Sequence, residues 1–80
     1  MNGGITFRGA IESNKRCIIS TLERNGEMFT NDILNNYAGE KEKRAVRTAL
    51  NELRKEGKVT TDDHVYMWQG KKWKLSLNAL

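Results

Sequence analysis

EKEKRAVRTALNELRKEG, residues 40–57, decides how the rest of this chain is read. Ala45, Val46, Ala49, Leu50 and Leu53 recur at helical spacing and form one apolar stripe. Lys43, Arg44, Arg47, Thr48 and Asn51 fall on the opposite side. The stretch is therefore expected to be a helix, helix three of the chain, that packs by one face and presents cations and amides on the other. Such a face suits the DNA major groove, where Arg and Asn side chains match base edges. The alternative is an ordinary solvated surface helix. Arg54 and Lys55 in its last turn suit the negative end of the helix dipole, and Gly57 fits the position just past the end.

Charge is distributed unevenly around this stretch. The 80 residues carry a net charge of +4. Residues 1–39 hold four basic and four acidic residues, residues 40–58 hold seven and four, and residues 59–80 hold three and two. All of the excess positive charge thus lies on helix three and the residues C-terminal to it, an asymmetry that points to a polyanionic partner. One cysteine excludes an intrachain disulfide and fits a reducing compartment. No apolar run approaches the ~18 residues of a membrane span, and no signal-peptide pattern opens the chain. A soluble protein of the cytoplasm, with no membrane partner, is expected. With 38% hydrophobic residues, one domain with a small core is expected.

Residues 1–10 hold three of the seven glycines and read as a flexible or extended N-terminal segment. Alternation of Ile5 and Phe7 with Thr6 and Arg8 suits a short extended piece, and a disordered lead-in suits it equally. Helix one is expected from Ile11 or Ser13 to Asn25, with Ser13 as N-cap, Ile11, Ile18, Leu22 and Cys17 facing inward, and Asn25-Gly26 as its stop. Free cysteine is usually a small buried hydrophobe, the reading given to Cys17. Met28-Phe29 reads as an apolar link. Thr30 is expected to cap a second helix of about two turns that ends near Ala38-Gly39. Phe29 and Leu34 have the spacing of a hydrophobic staple, and Ile33, Leu34 and Tyr37 form its buried side. Gly39 supplies a tight turn into helix three, giving a helix-turn-helix pattern.

Beyond Gly57 the period changes to two. Residues 58–61 and 64–69 read as β-type runs, the second rich in aromatic and β-branched residues. Asp62-Asp63 is either a turn or a kink in one long strand. Gly70-Lys71 fits a two-residue hairpin turn, which would set Trp68 opposite Trp73 and Tyr66 opposite Leu75. Such pairs stabilise a hairpin by roughly 0.2–1 kcal/mol each. Trp68 and Trp73 are expected as cross-strand packing, with a stacking platform for single-stranded nucleic acid as the alternative. Residues 78–80 read as a fraying end.

The assembled order resembles the winged helix-turn-helix DNA-binding domain. Ile18-Ile19, Leu22, Gly26, Phe29-Thr30 and Ile33 resemble the family's first helix and its lead into the second. Val46, Leu50, Leu53, Gly57 and Val59 resemble its recognition helix and the start of the wing. Trp73-Lys74-Leu75-Ser76 matches the aromatic-polar-leucine-small ending of its last strand. The resemblance covers residues 11–77 and implies an α+β fold, a three-helix bundle with a C-terminal β-hairpin wing.

By position, the resemblance makes Lys43, Arg44, Arg47, Thr48 and Asn51 the base-reading residues. It makes Lys71 and Lys72 wing-tip phosphate contacts, and Thr30 and Asn31 backbone contacts at the start of helix two. Glu40, Glu42, Asp62 and Asp63 depart from it, being negative where phosphate would lie. The implied function is sequence-specific binding of double-stranded DNA by a small transcriptional regulator, of the stand-alone kind found in phages, plasmids and compact bacterial operons. A homodimer on paired half-sites would use helix one, the N-terminal segment or the wing. The alternative is a winged-helix module that binds a protein partner through Tyr66, Met67 and Trp68. No enzyme is expected. There is no phosphate-loop glycine motif, the one histidine, His64, lies in a different element from Cys17, and an 80-residue chain leaves little room for a pocket of ~300 Å³. Neither a metal nor a cofactor is expected, since a lone histidine lacks the spacing of a ligand set.

Overall fold

The computed structural model describes residues 6–76. It is an α+β fold of three helices and a small antiparallel sheet. The elements are, in order, α1 (Phe7–Asn25), β1 (Met28–Phe29), α2 (Thr30–Leu34), α3 (Glu40–Lys55), β2 (Val59–Thr61) and β3 (Lys72–Leu75). β3 is the central strand. It pairs with β1 through Met28–Trp73 and Phe29–Lys72, and with β2 through Val59–Leu75, Thr60–Lys74 and Thr61–Trp73.

α3 buries the five residues of its expected stripe, Ala45, Val46, Ala49, Leu50 and Leu53. They meet Ile11, Ile18 and Leu22 of α1, Ile33 and Leu34 of α2, and Val59 and Trp73 of the sheet in one core. The end of α3 is a Schellman motif. Lys58 N–H donates to the Leu53 carbonyl (2.9 Å) and Gly57 N–H to the Arg54 carbonyl (3.0 Å). This requires Gly57 at φ +78°, the left-handed conformation that glycine adopts without steric penalty. Gly26, at φ +82°, ends α1 in the expected place.

Several expectations are corrected. α1 starts at Phe7, four residues before Ile11, so residues 7–10 are helix and neither extended nor flexible. Its cap is Thr6, whose hydroxyl accepts the Gly9 N–H at 2.9 Å, and Ser13 lies exposed inside the helix. Cys17 is exposed. The inward position that completes the stripe is Lys15, spaced four residues from Ile11 and three from Ile18. The expected readings of residues 1–5 and 77–80 lie outside the described residues.

Met28-Phe29 is a strand and α2 is only five residues long, ending at Leu34. Thr30 is the first residue of α2 and Phe29 occupies the cap position without a side-chain bond. Phe29 is not stapled to Leu34 by that register; its ring meets Tyr66 edge-on with centroids 5.3 Å apart.

The largest departure is at residues 62–71, which form an irregular loop and not a strand with a tight hairpin turn. β3 has two edges, and Met28-Phe29 and Val59–Thr61 occupy them, so residues 64–69 find no ladder partner. Trp68 does not face Trp73, nor Tyr66 Leu75. Asp62-Asp63 ends β2. The Asp62 carboxylate accepts the His64 N–H at 3.0 Å, an Asx turn, and Asp63 takes φ +64°.

The loop returns to β3 through Thr30. Its Oγ1 accepts the indole Nε1–H of Trp73 at 2.8 Å and donates to the Lys71 carbonyl at 3.1 Å, while its N–H donates to the same carbonyl at 2.8 Å. Gly70 lies against this residue at φ +82°, where an added Cβ would stand 2.9 Å from Thr30 Cβ. Thr30→Val keeps the shape and strands the buried indole N–H, so urea unfolding should show a loss of about 1–3 kcal/mol. Gly57→Ala has open space and only backbone strain, on the order of 1–2 kcal/mol. Gly70→Ala adds a clash to the same strain and should lower the urea midpoint clearly further. Equal losses in the two glycine variants would contradict the tight packing of Gly70 on Thr30.

Candidate nucleic-acid interface

The polar face of α3 is set by its buried stripe. With Ala45, Val46, Ala49, Leu50 and Leu53 inward, Arg44, Arg47 and Asn51 are exposed at three- and four-residue spacing, with Lys43 and Thr48 half-buried beside them. Among the described residues, Lys43, Arg44 and Arg47 have no ion-pair partner.

The helix's acidic residues are mostly turned to other tasks. Glu42 folds back so that its Oε1 accepts the Gly39 N–H at 3.0 Å, capping α3. Glu52 and Glu56 face α1. Lys15, only 8% exposed, places Nζ 2.8 Å from Glu52 and 2.7 Å from Glu56. Arg8 approaches Glu52 with both terminal nitrogens at 2.7 Å and also pairs with Glu12. Glu40 remains exposed at the start of the helix.

A cleft of about 270 Å³ runs alongside the polar face. It is lined by Arg47, Leu50 and Asn51 of α3, by Thr30 at the start of α2, and by Val65, Gly70 and Lys71 of the loop, with Trp73 behind them. Four of the sequence-predicted site residues, Arg47, Asn51, Thr30 and Lys71, therefore share one cleft. Lys43, Arg44 and Thr48 extend the same face toward the start of α3.

Other expected contacts are placed differently. Lys71 and Lys72 are not at a hairpin tip. Lys71 stands where the loop joins β3, with Nζ 3.3 Å from Asp63. Lys72 lies within β3, 5.3–5.5 Å from the ring centres of Tyr66 and Phe29 and 3.6 Å from Glu27. The tip carries Met67 and Trp68, which are 82% and 66% exposed, so the expected packing of Trp68 is not formed, whereas Trp73, 4% exposed, is core. At the start of α2 the amide donors of Thr30 and Asn31 are taken by the Lys71 and Gln69 carbonyls (2.8 and 3.0 Å). The Thr30 hydroxyl also donates to the Lys71 carbonyl, so Thr30 has no donor left for phosphate as the resemblance implied, and the Asn31 amide nitrogen donates to the Trp68 carbonyl.

The two aspartates that departed from the expected charge pattern serve the loop. Asp63 accepts both terminal nitrogens of Arg54 (2.7 and 2.6 Å), and this pair, with Lys71, holds its carboxyl below the usual range. Asp62 accepts the Tyr66 hydroxyl at 2.7 Å, which lowers the acid and raises the phenol.

No group of three metal-ligating side chains occurs among the described residues. Hollows are roomier than chain length implied. The groove between α1 and the start of α3, lined by Phe7, Ala10, Tyr37 and Ala45 among others, encloses about 350 Å³. No described helix is long and apolar enough to cross a membrane. Neither family models, curated proteins nor solved structures give a match to this chain.

The feature that sequence reading missed is Lys15, which had a signal, since it fills the gap in the 11-15-18-22 stripe. Met67 and Trp68 were named as protein contacts in the alternative reading, but on a hairpin strand and not on an irregular loop. Glu52 has a testable consequence. Hydrogen bonds from Arg8, then Lys15, hold its carboxyl down to about 2 from an ordinary 4.5. A depressed carboxyl stabilises the fold above its unfolded value and loses that contribution as protons bind. The urea midpoint should fall as pH drops from about 4.5 toward 2, and Glu52→Gln should flatten that fall.

Proposed function

We propose that this chain binds double-stranded DNA in a sequence-specific manner, with α3 in the major groove, and acts as a small cytoplasmic transcriptional regulator. One observation carries the reading. The outward face of α3 holds Lys43, Arg44 and Arg47 without ion partners among the described residues, next to Thr48 and Asn51, while Glu42, Glu52 and Glu56 are engaged elsewhere. Unpaired guanidinium groups and an amide on one helix face suit bidentate contact with guanine and adenine edges.

The element order supports the same reading: helix, strand, helix, helix, strand, loop, strand is the order of a winged helix-turn-helix. In that layout the loop between β2 and β3 is the wing, α2 and α3 are the helix-turn-helix pair, and Lys71 and Lys72 serve phosphate from the base of the wing. Thr30 lines the cleft beside α3 but spends both its N–H and its O–H on the Lys71 carbonyl, so the backbone contact at the start of α2 falls to the Asn31 side chain. A homodimer on paired half-sites would enlarge a small footprint.

A second reading has its own observation. Val65, Met67 and Trp68 expose apolar surface on the loop, which suits a protein partner. The two readings use different faces. Fluorescence anisotropy against mixed-sequence duplex DNA at two salt concentrations separates them. The wild type should bind at low salt, and log K should fall with log salt by about 0.9 for each phosphate contact. Arg44→Ala with Arg47→Ala removes two cations from the docking face and should weaken binding at both salt concentrations. Absence of binding near 50 mM salt, where non-specific contact still registers, would remove the DNA reading.

A further inference from the structure

The loop between β2 and β3 combines a pinned backbone with unpartnered apolar side chains. Residues 62–71 are tied down at both sides and at the tip. Arg54 holds Asp63, the Tyr66 hydroxyl donates to Asp62, and Tyr66 N–H donates to the Gly70 carbonyl at 3.0 Å. Gln69 N–H donates to the Tyr66 carbonyl at 2.8 Å, and Asn31 holds the Gln69 and Trp68 carbonyls from α2. Met67 takes φ +48°, in the left-handed region that few non-glycine residues occupy. Yet Met67 and Trp68 point their side chains into solvent. A floppy loop exposes apolar groups by default; this one fixes them in place.

The base of the loop, from which Met67 and Trp68 project, selects the occupant. Val65, Gly70 and Lys71 of the same loop form one wall of the cleft whose other wall is Arg47 and Asn51. A ligand that reaches the cationic face of α3 also comes up against the loop. The cations on this side are Arg44, Arg47 and the part-paired Lys71, so that ligand is a polyanion. A polyanion whose interior is a stack of flat apolar rings satisfies both the cations and the exposed Met67 and Trp68.

Resting on the DNA reading above, we propose that Met67 and Trp68 act as an apolar wedge. With α3 in the major groove, the loop enters the neighbouring minor groove and the two side chains press into a base step, partly unstacking it and kinking the duplex. Apolar wedges of this kind bend DNA by roughly 20–90°. Pyrimidine–purine steps, which unstack most easily, are the preferred sites. The wedge adds sequence preference through deformability, at a position where no side chain reads a base edge. It contributes no charge, so it leaves the salt dependence of binding to α3, Lys71 and Lys72.

The test uses a short duplex carrying a central TpA step, labelled at its ends with a donor and an acceptor dye, with binding followed in parallel by anisotropy. Binding of the wild type should bring the ends closer and quench tryptophan emission. The quenching should vanish in Trp68→Phe, because Trp73 is buried. Met67→Ala with Trp68→Ala alters only exposed groups and should fold normally. It should still bind with an unchanged salt slope while the duplex stays straight. If the wild type binds but neither bends the duplex nor changes Trp68 emission, the wedge is overturned while the DNA reading stands, and the tip is then a protein-binding surface. If the wild type fails to bind at low salt, the DNA reading falls and the wedge with it.

Discussion

The hydroxyl of Thr30 is the point on which the arrangement of helices, sheet and loop depends. A hydroxyl offers one donor and two acceptor positions. Here the donor goes to the Lys71 carbonyl and an acceptor position receives the Trp73 indole N–H. Trp73 is the largest side chain in the core and sits on the central strand, opposite Met28 on one side and Thr61 on the other. Burying an indole is favourable only while its N–H has a partner. That requirement brings the start of α2 against β3, and Gly70, whose added Cβ would stand 2.9 Å from Thr30 Cβ, packs on the same residue. The cleft beside α3 is the space left between these constraints.

Charge is arranged by a second constraint, the seam between α1 and α3. Lys15 occupies a position that helical spacing reserves for an apolar residue, and its ammonium is satisfied by Glu52 and Glu56 together. A buried cation tolerates low solvation only when paired and hydrogen-bonded in this way. The pairing also removes two carboxylates from the field around α3. A third, Glu42, is turned back on the helix start as a cap. The result is a helix of mixed composition with a cationic outer face. Composition alone gives +3 for residues 40–58, and the fold sorts that charge by side.

How far the sequence foretold this depends on whether local spacing or tertiary competition decides each element. α3 was legible to the residue, because its stripe, its dipole-matched ends and Gly57 all agree. Ile11, Ile18, Leu22, Ile33 and Leu34 were legible from local spacing as well. The start of α1 was missed because three glycines in residues 1–10 and the alternation of Ile5 and Phe7 with Thr6 and Arg8 read as extended or flexible chain. β1 was missed because two residues cannot display a period at all. The hairpin was misread because residues 64–69 have genuine β-propensity, and what excludes them from the sheet is the occupation of both edges of β3, a fact of topology that no local window contains. Of the candidate site residues, those on α3 derive from the stripe. Lys71, Lys72, Thr30 and Asn31 depend on the course of the loop, so their placement on one side or another was not readable beforehand.

The misread stretch and the exposed apolar tip are the same stretch, and this has a physical meaning. Fully burying a large apolar side chain contributes roughly 1.5–3 kcal/mol, a large share of the net stability of so small a domain. A chain with two tryptophans that commits one to the core and leaves the other 66% exposed forgoes that contribution. Disorder does not account for it, since hydrogen bonds from Asn31, Arg54, Tyr66 and Gln69 hold the loop in shape. Nor does solubility, which Met67 and Trp68 can only reduce. The ordering of the backbone and the exposure of its side chains oppose each other energetically in the free protein. A complex of the kind proposed would reconcile them, since a surface already ordered loses less entropy on binding than a mobile one.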